Sequence, residues 1–250
     1  MKTIKILLCA LLMSTSLSAG KITIAVAANV SYAIEELKAE FIKAYPQTSV
    51  AVTVGSSGKL TAQIKNGAPY GLFMSANMKY PEALYRDKIA LDEPVVYAQG
   101  GLAYLSVKER NLSKGMALLE DDTIERIAIA NPKTAPYGKA AVEAMKKAGV
   151  YKRIKAKLVY GESIAQTVSY TVTAAQIGLI AKSSLYSPHM AEYKEDTNWV
   201  SVDPKLYTPI KQGVVLLRHG RNNAEYKAFY DFILSDQAKK IFKKYGYIVV

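Results

Sequence analysis

The sequence predicts an α/β protein of two lobes, each a mixed, mostly parallel sheet flanked by helices, joined by two crossing strands. Three observations lead there. Short β-branched apolar runs alternate with amphipathic helical runs over the first third of the chain, the pattern of βαβ units and a largely parallel sheet. Near residues 94–101 that alternation gives way to one extended stretch, VVYAQGGLAYLSV, interrupted by two glycines, and a second α/β run follows it. A further extended stretch, TPIKQGVVLLRHG, then leads into helical runs at the C-terminus and returns the chain to the first lobe. The division is a leader over residues 1–20, a first lobe over 21–97 plus 209–250, and a second lobe over 98–208.

The leader reads MKTIKILLCALLMSTSLSAG, with two lysines, an apolar centre over residues 6–13 and a small-residue end. This is the order that export signals require, and the apolar centre is too short to span a membrane. After it, KITIAVAA is a strand and SYAIEELKAEFIKAYP a helix with Ile34, Leu37, Phe41 and Ile42 on one face. SVAVTVG, GKLTAQIKNG, GLFMSA and MKYPEALYRDKI continue as strand, helix, strand and helix. In the second lobe IERIAIAN, AKLVYG and IGLIAKS read as strands, with helices over GKAAVEAMKKAGV and near ESIAQTVSYTVTA. The C-terminal run NAEYKAFYDFILSDQAKKIFKKYGY supplies helices whose Tyr226, Phe229, Tyr230, Phe232 and Phe242 recur at core spacing.

Composition excludes several classes of function. The formal charge is +12, but lysines and arginines are spread along the chain among acids, so no nucleic-acid face is expected; a mildly basic protein favours anionic ligands instead. Cys9 is the only cysteine and lies in the leader behind Leu8, where a lipid-anchoring signal needs a small residue. The exported protein is therefore expected to carry no thiol and no lipid anchor. His189 and His219 are far apart, in no triad or metal spacing, and no GxSxG or HExxH occurs. The expectation is a binding protein: not an enzyme, with no cofactor and no protein-bound metal.

Several strand ends run directly into a polar residue and a helix start: Ala28-Asn29, Gly55-Ser56-Ser57-Gly58 and Ser75-Ala76-Asn77. Free backbone amides at helix N-termini attract anions, and strand ends of an open parallel sheet converge on the ligand crevice. Ordinary N-capping explains any one of them; three together point to a ligand. In the second lobe the turns NPKTAPYG and GESI face the same cleft.

These segments, together with KITIAVAANVSYAIEELKAEF, VGSSGKLTAQIKNGAPYGLFMSAN, NPKTAPYGKAAVEAMKKAGV and AEYKAFYDFILSDQAKKIFKKYGY, resemble the periplasmic molybdate-binding protein family over essentially the whole exported chain. The resemblance implies a type II periplasmic binding protein fold that holds dehydrated molybdate or tungstate by hydroxyls and backbone amides. It implies Asn29, Ser57 and Ala76 as ligand contacts from the first lobe, and Tyr137 and Ile164 from the second through their main chain. It also implies a periplasmic monomer that serves an inner-membrane ABC permease. Many members place a tyrosine where this chain has Ala181, so Lys182, Ser183 or the Tyr137 hydroxyl is expected to replace that donor. Asn77 and Gly71 stand where aspartates are common in the family. The alternative ligands are sulfate, phosphate or the anionic group of a larger solute.

Overall fold

The structure, a computed structural model, describes residues 20–249. The expected leader lies outside the described residues except for Gly20, which already opens the first strand. In chain order the elements are β1 (Gly20–Ala27), α1 (Ile34–Ala44), β2 (Thr48–Gly55), α2 (Ser57–Lys65), β3 (Leu72–Ser75), α3 (Lys79–Arg86), β4 (Val95–Gly100) and β5 (Leu102–Leu105). There follow β6 (Ile127–Ala130), α4 (Pro136–Lys147), α5 (Tyr151–Ile154), β7 (Leu158–Gly161), α6 (Ile164–Thr173) and β8 (Ile177–Ala181). The chain ends with β9 (Trp199–Ser201), β10 (Ile210–Leu216), α7 (Ala224–Leu234) and α8 (Asp236–Lys244).

Two five-stranded sheets result, ordered β2-β1-β3-β10-β4 and β7-β6-β8-β5-β9. In each, three strands pair in parallel and one strand, β10 or β5, runs against the rest. The chain crosses between sheets twice, from β4 to β5 through Gly101 and from β9 to β10 through residues 202–209. The expected α/β class, the mixed sheets and the two crossings are present. β9 and the four-residue α5 were not expected.

Local chemistry explains the elements that carry the site. Ile22, Ile24 and Val26 on one face of β1 are fully buried, and Ala25 and Ala27 on the other are buried too, as expected for a strand covered on both faces. α1 buries Ile34, Leu37 and Phe41 along one stripe. Its first turn carries Glu35 and Glu36 and its last turn Lys43, which complements the helix dipole. Phe41 meets Phe229 of α7 edge-on, with ring centroids 4.9 Å apart, so the C-terminal helices are fastened to the first sheet. Tyr226, Phe229 and Phe242 are core residues, with Tyr230 and Phe232 packed partly buried against them.

Register sets the rest. β1 pairs with β2 from Gly20↔Thr48 to Ala27↔Gly55, and Val26 pairs with Met74 of β3. The carboxyl ends of β1, β2 and β3 therefore lie side by side. In the second sheet Ala130 of β6 is level with Gly161 of β7.

Candidate functional site

The strand ends of both sheets meet across one small cavity. Asn29 follows β1, Ser56 and Ser57 follow β2, and Ala76 follows β3. From the other side come Ala135, Pro136 and Tyr137 at the start of α4 and Ile164 at the start of α6. All five residues named as contacts from the sequence, Asn29, Ser57, Ala76, Tyr137 and Ile164, line this cavity, and each is buried. Room for the centre of a water-sized molecule is only about 10 Å³, the scale of one water position. No lysine, arginine or carboxylate side chain lines it.

What does line it is a set of donors. α2, α4 and α6 begin at the cavity; their first-turn amides have no acceptor within the helix, and the positive end of each dipole faces inward. Pro136 at the first position of α4 has no amide N–H to offer, leaves the following amides in place and presets the helical backbone. The Ser57 hydroxyl accepts the Ala76 amide at 2.9 Å and donates to no protein atom among the described residues, so its proton is free. Ser56, the N-cap of α2, makes no side-chain cap bond; its hydroxyl is buried without a partner. Capping therefore does not account for either serine, whereas Ser163 does cap α6, accepting the Gln166 amide at 3.2 Å.

Behind the cavity lies a buried polar network. Asn29 Nδ2 donates to Gln212 Oε1 at 2.7 Å and to the Tyr247 hydroxyl at 3.0 Å, while the Tyr247 hydroxyl donates to the Asn29 carbonyl at 2.8 Å. Tyr97 donates to Gln212 Oε1 at 2.8 Å. Gln212 Nε2 in turn donates to the Tyr137 hydroxyl at 3.2 Å. Burial holds the hydroxyls of Tyr97, Tyr137 and Tyr247 well above the usual tyrosine range, so at neutral pH they remain protonated donors. Ser56, Gln212, Tyr97 and Tyr247 were not singled out from the sequence. For Ser56 a signal existed, a second hydroxyl in the same strand-to-helix turn; for the others none did.

The position expected to carry a tyrosine, Ala181, is fully buried and pairs with Leu102. Of the three replacements expected, two have other partners: the Lys182 ammonium lies over the Trp199 ring, 5.7 Å from its centroid, and the Ser183 hydroxyl donates to the Asn29 carbonyl at 3.1 Å. Neither lines the cavity. Only Tyr137 does, its hydroxyl held by Gln212.

The lobes touch directly around the site. The Gly58 amide donates to the Thr134 carbonyl at 2.9 Å, and Lys59 pairs with Glu162 at 2.7 Å. A side chain at Gly58 would meet the Thr134 carbonyl at 2.9 Å. Elsewhere, His189 and His219 are both exposed, and no cluster of metal-ligating side chains occurs among the described residues.

A family model described as bacterial extracellular solute-binding protein matches residues 22–248. The chain belongs to this family. As a solute-binding protein it is a transport component and not an enzyme, and the family acts outside the cytoplasm. The molybdate-binding protein ModA of Rhodobacter capsulatus is 37% identical over 233 residues, spanning 92% of this chain and 89% of that one. ModA of Azotobacter vinelandii is 33% identical over 238 residues, with 94% and 93% covered. The solved A. vinelandii periplasmic molybdate-binding protein superposes with a TM-score of 0.84 at 29% identity, over 92% of this solute-binding protein and 99% of its own chain.

Proposed function

We propose that this solute-binding protein captures molybdate or tungstate between its lobes in the periplasm and, as a monomer, hands it to an inner-membrane ABC permease. Its export would use the leader at residues 1–20. The observation that carries the reading is the cavity itself, walled by uncharged donors from helix N-termini of both lobes. The proposed contacts are Asn29, Ser57 and Ala76 from one side and the main chain of Tyr137 and Ile164 from the other, with Ser56 as a further donor.

The chemistry favours this ligand class. A fully deprotonated divalent oxyanion only accepts hydrogen bonds, so a pocket rich in donors suits it. Hydrogen bonds to a charged group stabilise by about 1.5–3 kcal/mol each, so four or five supply about 6–15 kcal/mol, and after association costs of about 4 kcal/mol or more a submicromolar affinity calls for bonds at the strong end of that range. The relatives named for molybdate weigh in the same direction.

Isothermal titration with molybdate, tungstate, sulfate and phosphate tests the reading. Molybdate and tungstate are expected to bind much more tightly than sulfate, whose shorter bonds to oxygen leave some donors out of good reach. Equal affinity for sulfate would reduce the protein to a general oxyanion binder.

A further inference from the structure

Gln212 is fully buried and occupies a special place in the fold. It lies on β10, the strand by which the chain returns from the second sheet to the first. Ala98 of β4 pairs with Gln212, but Val96 pairs with the next residue, Gly213; Tyr97 is the extra residue of a β-bulge, a feature that re-aims side chains. The bulge brings Tyr97 onto Gln212. Gln212 thereby touches both halves of the site: Asn29 from the first lobe and Tyr137 from the second.

The consequence falls on Asn29. Both bonds of its Nδ2 go to Gln212 and Tyr247, and its Oδ1 is buried with no donor. A bare carbonyl oxygen beside the cavity opposes an oxyanion, which has lone pairs and no proton to offer. We propose that Gln212 is a positioning residue that sets which atom of the Asn29 amide faces the cavity, and that anion capture turns the two amides together. This rests on the oxyanion reading given above.

The turned arrangement gives the anion, the Asn29 amide and the Tyr137 hydroxyl their partners, at the cost of the bond from Nδ2 to Tyr247. Rotating the Asn29 amide by half a turn, which exchanges atoms of nearly equal size, points Nδ2 at the anion. Oδ1 then needs a donor, and Gln212 provides one if its own amide turns, placing Nε2 toward Asn29. Gln212 Oε1 then faces Tyr137, whose hydroxyl proton has no acceptor among the described residues in the present arrangement. Tyr97 keeps the Ser75 carbonyl as an acceptor, at 3.5 Å, and Tyr247 keeps the Asn29 carbonyl. The anion contact in one lobe is in this way tied to a hydroxyl of the other.

Gln212→Glu separates this from a packing role. A carboxylate only accepts, so it holds Asn29 Nδ2 and leaves Oδ1 facing the anion. Calorimetry with molybdate at pH 8 is expected to show a loss of at least about tenfold. Affinity should recover as pH falls and the buried carboxyl protonates, since it then donates as the amide does. The charge of the carboxylate beside a dianion weakens binding in any background, so the part owed to Asn29 is the excess: with Asn29→Ser as background, whose hydroxyl can turn freely, the same Glu is expected to cost at least about threefold less than it does with Asn29 present. An equal loss in both backgrounds, or no recovery with pH, would overturn the proposal. Wild-type protein gives an independent check, since molybdate should remove the nuclear Overhauser contact between the Asn29 side-chain NH₂ and the Tyr247 ring; a retained contact in the saturated protein contradicts the turn. Failure of the wild-type protein to bind molybdate at all would instead count against the oxyanion reading.

Discussion

The two walls of the cavity are built differently. The first lobe adds side chains to the main-chain amides at the start of α2 and at Ala76: the hydroxyls of Ser56 and Ser57 and the amide of Asn29, backed by Gln212, Tyr97 and Tyr247. The second lobe presents main-chain amides at the starts of α4 and α6, beside Pro136 and Ile164. Side-chain donors can be exchanged one at a time, so the first wall is where a single substitution alters anion preference. Main-chain donors are fixed by the helix starts, and the second wall tolerates changes of side chain as long as those starts stay in place.

The largest effect should come from keeping the walls apart. Gly58→Val sets a branched side chain against the Thr134 carbonyl and the Tyr80 hydroxyl, which a Cβ alone would meet at 2.9 and 2.7 Å. Overpacking of this kind costs about 1–3 kcal/mol; the Tyr80 hydroxyl is the end of a side chain of the same lobe, whereas the Thr134 carbonyl is main chain of the other, so the part that cannot be relieved by a side-chain shift falls on lobe closure. The expected outcome is an affinity loss of about 3 kcal/mol with a melting temperature near that of the wild-type protein without ligand. A drop in that melting temperature as large as the loss in binding would place Gly58 in the fold of α2.

Next, exchanging one side chain on each wall should give unequal results. Ser57→Ala removes a hydroxyl donor and is expected to weaken molybdate binding by about 2 kcal/mol. Ile164→Val keeps the main chain and trims only a methylene; it should cost about 1 kcal/mol of stability and leave affinity unchanged. Titration calorimetry on the two variants decides, and equal losses would erase the distinction between the walls.

Much of this was legible in the sequence because it depends on period. Alternating β-branched and amphipathic runs located β1, α1, β2, α2 and β3, and the polar residue after each strand marked the cavity wall. What escaped has no local signature. β9 spans only Trp199–Ser201, too short to show alternation. Gln212 sits in a stretch readable only as a crossing strand, and its role depends on a bulge at Tyr97 of the neighbouring strand and on Asn29, 183 residues away in the chain. Tyr247 lies in the aromatic-rich C-terminal run, where one more tyrosine looks like core. Lys182 was a reasonable substitute for the absent tyrosine by sequence distance, but its ammonium is drawn onto Trp199, a partner that only the β5–β9 pairing brings near.

The tyrosines behind the first wall also make a pH prediction. Tyr97 and Tyr247 are held above the ordinary tyrosine range by burial, and Tyr32 nearby is pushed up to about 12. Above pH about 10 the unfolded chain loses these protons while the folded protein keeps them, so the folded state binds more protons and stability falls as pH rises. Below about 10 the contribution is fully present and level. Thermal melts from pH 8 to 11 should show the decline beginning near 10, and Tyr247→Phe should make it shallower. An identical slope in the variant would assign the decline to other groups.

The smallest effect is expected from the ion pair that bridges the walls at the surface. Lys59 and Glu162 are exposed, with 48% and 71% of their side chains accessible, so Lys59→Gln should change affinity by less than about 1 kcal/mol and only at low salt. A larger effect that persists at high salt would make this pair part of the closure.

Small-angle scattering with and without saturating molybdate tests the central claim most directly, that donors from two separate walls converge on one ion. Neither wall surrounds the cavity alone, so the ligand should favour the closed arrangement. The account predicts a smaller radius of gyration on adding molybdate to the wild-type protein, and no such decrease for Gly58→Val at the same concentration. Superimposable profiles for the wild-type protein, under conditions where calorimetry shows the site to be full, would contradict it and describe a rigid, preformed site.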